Sequence, residues 1–112
     1  MNVFEVRLTR QAEEQLRGIA IYIAVELKNP DASTELMDDL EEELTRLGKN
    51  PEKYRLVDEQ PWRDEGVRWT KVKNFIVYFW VDIENAAVHV TGICYEKRDM
   101  KKFLDNMKLG TD

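Results

Sequence analysis

The 112-residue chain holds one histidine, one cysteine and one serine, so His89, Cys94 and Ser33 bound its nucleophilic chemistry. His89 and Cys94 stand five apart in a strand-like segment. That odd offset directs them to opposite faces, so a nucleophile–base dyad is not expected unless a bulge intervenes. Cys94 then reads as a core residue, and His89 as a structural or surface residue sharing a face with Thr91, Ile93 and Tyr95. Ser33 falls in the first turn of a helix, a poor place for the nucleophile of a serine triad. A zinc site would have to rest on carboxylates, and the five glycines are scattered singly rather than clustered into a phosphate cradle. No metal and no cofactor are expected. The acid pairs Asp58-Glu59 and Asp64-Glu65 read as loop solvation, because glycosidase chemistry needs a sugar cleft for which the chain has little room. Trp62, beside a loop proline, is the tryptophan expected at the surface. The cations fall into two clusters: Arg68, Lys71 and Lys73, then Lys97, Arg98, Lys101 and Lys102. A phosphate, if any is bound, is met there.

These residues must be positioned by one small domain, 1–112. The composition, 43% hydrophobic and 35% charged, suits a single soluble core without staples. Seventeen Lys and Arg against 22 Asp and Glu leave a formal charge of -5, so the whole-molecule field does not draw in nucleic acid. All of that excess lies in residues 1–50, where the helices are the acidic part. A single cysteine cannot form an intrachain disulfide and no basic-then-apolar leader opens the chain. A cytoplasmic location is therefore expected. No charge-free run approaches the roughly 20 residues that cross a bilayer, so no membrane role is expected.

The elements follow from periodicity. Phe4, Val6 and Leu8 alternate with Glu5 and Arg7, which predicts a strand over Val3 to Leu8. From Thr9, a helix N-cap, the apolar residues Ala12, Leu16, Ile19, Ala20, Ile23, Ala24 and Leu27 recur at helical offsets. Asn29 caps a second helix with Pro30 at its first position, and Leu36, Leu40, Leu44 and Leu47 form its stripe until Gly48 ends it in the left-handed conformation. A loop follows to Gly66, with a short strand at Tyr54 to Val57. Strands are predicted at Val67 to Lys73, Phe75 to Asp82 and Ala86 to Tyr95. The middle one is apolar on both alternating sets, so it should lie centrally with both faces covered. Lys97 to Met107 forms a short amphipathic segment. The class is α+β: an N-terminal strand, a helical hairpin, then an antiparallel three- to four-stranded meander with a short C-terminal helix.

In that order, the segment from Val67 to Asp82, followed by Ile93 to Asp99, resembles the RelE/ParE superfamily of toxins from type II toxin–antitoxin modules, often labelled plasmid stabilization proteins. The likeness also takes in the first strand, the hairpin with Asn29-Pro30, the loop Leu56 to Glu59, the Arg68 strand, the Asn74 turn and the closing Tyr95 to Asp99. It implies a small α+β toxin neutralised by a partly disordered antitoxin protein. It also implies two target classes: messenger RNA cut in the ribosomal A site by RelE-like members, and DNA gyrase poisoned by ParE-like members.

Metal-free RNA cleavage needs a base for the 2'-hydroxyl, an acid for the leaving oxygen and positive charge on the phosphorane. By the resemblance, Arg98 takes the place of a RelE-like catalytic arginine. Ile76 stands where another arginine is expected and Leu104 where a late tyrosine is expected, so two of three roles are empty. Arg68, Lys71, Tyr95 and His89 are the substitutes available. The acidic balance also fits poorly with docking into ribosomal RNA. A ParE-like, non-hydrolytic gyrase inhibitor is therefore favoured, with a ribosome-dependent endoribonuclease second and a non-toxic, antitoxin-binding relative third. For the antitoxin, the exposed apolar candidates are Met100, Phe103, Leu104 and Met107, with the edge of the helix hairpin. Docking of this C-terminal segment on its own core is the competing expectation. A homodimer is compatible with all three readings.

Overall fold

In the computed structural model, which describes residues 3–110, a five-stranded sheet carries two helices on one face and the C-terminal segment on the other. The elements are β1 (Glu5–Leu8), α1 (Arg10–Ile21), α2 (Pro30–Lys49), β2 (Arg55–Leu56), β3 (Arg68–Val72), β4 (Phe75–Asp82), β5 (Ala87–Tyr95) and α3 (Met100–Asp105). The strand order is β1-β5-β4-β3-β2. The meander is antiparallel, as expected, and β1 joins it parallel to β5, with Val6 opposite Val88. The helix hairpin is what permits that parallel closure, because it is part of the long crossover that a parallel pair requires.

Local chemistry sets the helix starts. Thr9 Oγ1 accepts from Ala12 N at 3.1 Å, and Asn29 Oδ1 accepts from Ala32 N at 3.1 Å, with Pro30 at the first turn of α2. The end of α1 departs from its stripe. Tyr22–Glu26 widen into a π turn, in which Leu27 N donates to Tyr22 O at 3.0 Å. Such a turn inserts an extra residue and rotates the chain beyond it. Ile23 and Ala24 stay half-buried while Ile21, Tyr22, Val25 and Leu27 face outward, so Leu27 is not the core residue its spacing suggested.

Gly48 also has a different role from a left-handed stop. The helix continues to Lys49, and Gly48 O accepts from Phe4 N at 2.8 Å. A Cβ on Gly48 would lie 2.8 Å from Phe4 O, so the glycine is there to admit the backbone leading into β1. The core on this face gathers Leu36, Leu40 and Leu47 against Val77, Phe79, Val88 and Val90. Each such side chain contributes roughly 1.5–3 kcal/mol on burial.

β4 is the middle strand and is covered on both faces. Val77 and Phe79 meet the hairpin, while Tyr78 meets a second cluster of Val57, Trp62, Val67, Cys94, Leu104 and Met107. The competing expectation for the C-terminal segment therefore holds. Leu104 is fully buried and Met107 nearly so, leaving Met100 and Phe103 half-buried at the edge. Trp62 is buried in the same cluster, where it packs under the loop instead of facing solvent. Gln11 clasps the segment with both atoms of its side-chain amide, donating to Asn106 O at 3.1 Å and accepting from Lys108 N at 3.0 Å. Trp80 Nε1 donates to Leu109 O at 3.0 Å.

A bulge in β5 changes the face assignment. Tyr78 lies opposite Gly92 but Phe79 lies opposite Val90, which leaves Thr91 unpaired. The extra residue flips the alternation. His89, opposite Trp80, and Cys94, opposite Ile76, consequently share the face under α3, and Ile93 belongs to the hairpin face. No helix among the described residues is long and apolar enough to cross a membrane.

Candidate functional site

Each cation in the first cluster is engaged. Arg68 Nη1 donates to Tyr54 O at 2.6 Å on the hairpin side of β3. Lys73 Nζ lies 3.1 Å from Asp39 and 3.7 Å from Glu35, and those carboxylates hold its amine above the ordinary lysine value. Lys71 points to the opposite face, with Nζ 2.7 Å from Glu96 Oε2. The cations after β5 differ. Lys97, Arg98, Lys101 and Lys102 are exposed, and none pairs with a carboxylate of the described residues. Arg98 instead sits over the Phe103 ring, 5.9 Å from its centroid.

Two hollows divide these groups. One, of about 390 Å³, lies on the α3 side of the sheet between β3, β4 and the loop after β2. Trp69, Ile76, Tyr78 and Met100 supply its apolar lining, and Lys71, Glu96, Asp58 and Glu59 its charged one. The other, of about 470 Å³, runs between α1 and α3, with Arg98 and Lys102 beside Gln11, Gln15, Asp99 and Asn106. It opens where β1 has ended and the edge of β5 is left bare. There Gln15 Oε1 accepts from Ile93 N at 2.9 Å.

The expected catalytic residues are thus dispersed. Lys71 lines the first hollow and Arg98 the second. Arg68 lies on the hairpin side, and Tyr95, 44% exposed, packs edge-on against Phe75 beyond it. His89 is buried at the far end of β5, stacked on Trp80 at 4.5 Å, with Nε2 3.0 Å from Asp82 Oδ2. Hydrogen bonds from Asn85, then His89, hold the Asp82 carboxyl below the ordinary aspartate value. Cys94 shares a face with His89, but four rungs of the β4 ladder, or roughly 13 Å, separate them. Burial pushes its thiol up to about 11, slightly opposed by Arg98, so it is no nucleophile. Among the described residues no group of three His, Cys, Asp or Glu is placed to hold a metal ion.

Glu59, Trp69, Tyr78 and Glu96 line a hollow that the sequence pattern did not single out. The alternation of β3 and β4 carried part of the signal, since Trp69 lies directly opposite Tyr78 and Lys71 opposite Ile76. Asp58 is fully exposed, as loop solvation requires, but Glu59 turns in to line the hollow.

Residues 6–100 match the family described as the ParE toxin of the type II toxin–antitoxin system, parDE. Three solved structures share the fold. A chain of the chromosomal ParDE toxin–antitoxin system from P. aeruginosa superposes with a TM-score of 0.67 at 19% identity, covering 85% of this chain and 98% of that one. A toxin of E. coli, RelE, in a doubly Arg-to-Ala-substituted free form, gives 0.62 at 11% identity, with 90% and 92% covered. A chain of the RelBE2 toxin–antitoxin complex of Mycobacterium tuberculosis gives 0.55 at 12%, with 83% and 98% covered. A search of curated proteins finds no match. The small sheet closed by a helix hairpin and a C-terminal segment is thus a fold shared with these ParDE and RelE structures. The chain belongs to the ParE toxin family and is a type II toxin.

Proposed function

We propose that this toxin acts on DNA gyrase by occupancy, without breaking bonds, and is held inactive by a cognate antitoxin. The observation that supports the reading is the dispersal of the cleavage groups. In the hollow that contains Ile76, Lys71, the one cation among the described residues that line it, is already paired with Glu96, and Asp58 and Glu59 add negative charge. An RNA phosphate there would meet repulsion and no positioned acid–base pair. Leu104, at the place of the late tyrosine, is buried core. Arg98, Lys101 and Lys102, without a carboxylate within 4 Å among the described residues, form the cationic end and are the groups offered to the target.

The antitoxin's contacts, in this proposal, are the outer edges of Met100 and Phe103 together with the hairpin tip, where Ile21, Tyr22, Val25 and Leu27 are each 55–62% exposed. Leu104 and Met107 support that surface from beneath. Purified toxin should block gyrase supercoiling, and Arg98→Ala should abolish the block while leaving the fold intact. New messenger RNA ends in cells expressing it would instead favour the endoribonuclease. Absence of growth arrest, with antitoxin binding retained, would favour the non-toxic relative.

A further inference from the structure

The two edges of the sheet are unlike. β2 closes one side with two residues, Arg55–Leu56, whereas β1 closes the other with four, Glu5–Leu8. Along a strand, successive residues turn their peptide groups to alternate sides. Glu5 N donates to Ala86 O at 2.8 Å and Thr9 N to Val90 O at 3.0 Å, so the odd residues of β1 turn toward β5. Val6 and Leu8 therefore direct their N–H and C=O groups outward. No turn, loop or cap of the described residues bonds to them. An open row of this kind is a template for another strand.

The side chains of β1 decide which strand fits. Phe4, Val6 and Leu8 pack half-buried against the hairpin-side core, while Glu5 and Arg7 stand exposed on the other face. In this order of apolar, acid, apolar, base, apolar, the segment is its own complement. Turned antiparallel about Val6, Glu5 meets Arg7, Arg7 meets Glu5 and Phe4 meets Leu8. We infer that two copies of this chain pair antiparallel through their β1 edges, about a two-fold axis at Val6, and join two five-stranded sheets into one. Val6 of each copy donates its N–H to Val6 O of the other. Glu5 and Arg7 of opposite copies then fall in the close, non-hydrogen-bonded positions, about 4.5 Å between Cα atoms, where opposite charges stabilise and like charges repel. Within one chain, Arg7 Nε lies 2.7 Å from Glu5 Oε1, and both side chains are exposed enough to exchange partners. The ladder ends there, because Phe4 N is already taken by Gly48 O at 2.8 Å. The contact is therefore small and the dimer weak. It uses neither the cationic end offered to gyrase nor the surfaces assigned to the antitoxin.

The test is sedimentation equilibrium of the purified full-length chain from about 10 μM to about 1 mM, the window of weak association. A monomer–dimer equilibrium is expected. Over the same range, hydrogen exchange at the Val6 N–H should slow as concentration rises, while the Glu5 N–H, already bonded to Ala86 O, should not change. Glu5→Arg and Arg7→Glu each set like charges opposite one another in both halves of the contact, and each should weaken the dimer about tenfold. An equimolar mixture of the two variants should regain the parent's association, because an edge with two arginines then faces an edge with two glutamates. A role confined to one chain would give no such rescue. A monomer throughout the range, Val6 exchange that ignores concentration, or a mixture no tighter than its components would each overturn the pairing. So would a dimer that both variants leave intact, which would place the contact elsewhere, as at the exposed hairpin tip.

Discussion

Glu96 reaches back from beyond the end of β5 to place Oε2 2.7 Å from Nζ of Lys71 on β3, closing one side of the hollow with a neutral pair. The amine is half-exposed and the carboxylate one-quarter exposed, so the pair is worth no more than about 1 kcal/mol. Lys71→Ala should lower stability by less than that in denaturant melts and leave growth arrest intact. Loss of toxicity with an unchanged melt would restore Lys71 as a functional cation.

Gly48 predicts a larger effect. An added methyl meets the backbone oxygen of Phe4 at 2.8 Å, and backbone cannot swing aside as a side-chain tip can. Gly48→Ala should destabilise by about 1–3 kcal/mol through overpacking. It should also speed hydrogen exchange at Phe4 N, whose bond to Gly48 O would lengthen. An unchanged melting temperature would show that β1 can shift at no cost.

Asp82 carries a pH dependence. Its folded-state pKa is depressed, first by the Asn85 side chain and then by His89. Its contribution to stability is therefore present above the unfolded aspartate value of about 3.9 and is lost as pH falls through the lower folded value. Asp82→Asn should cost stability at pH 7, and the gap between variant and parent should narrow as the pH drops below about 4. A gap that is constant across that range would assign the effect to shape rather than charge.

Cys94 should be inert in the native state. With its thiol pushed up to about 11, only about one molecule in a thousand is ionised at pH 8. Ellman's reagent should react slowly with the folded protein and rapidly once it is unfolded in guanidinium. Fast native labelling would mean that α3 opens readily from the sheet.

Side-chain patterning was a good guide wherever a local signal settles the outcome. The caps at Thr9 and Asn29 fall where the sequence places them, and β4 spans Phe75–Asp82 as predicted. The central position of β4 was legible because both of its alternating faces are apolar. The face of His89 was not legible, since the bulge at Thr91 leaves no periodic mark and reverses every later side chain in β5. The widened turn at Tyr22–Glu26 misled in the same way, by shifting the helical phase by one residue.

The amphipathic pattern of Met100, Phe103, Leu104 and Met107 showed that an apolar face exists. It could not show whether that face waits for a partner or is already used. The hydrogen bonds from Gln11 and Trp80, 95 and 29 residues away from their acceptors, decide that it is used. The chain's pattern alone determined its elements and their class, because caps and periodicity act between near neighbours, while the resemblance to toxins rested on the residues of Val67 to Asp82 and Ile93 to Asp99 themselves. Which cations are neutralised, which hollow turned acidic and which face α3 covers depended on long-range pairing, and only the folded structure brings those residues together.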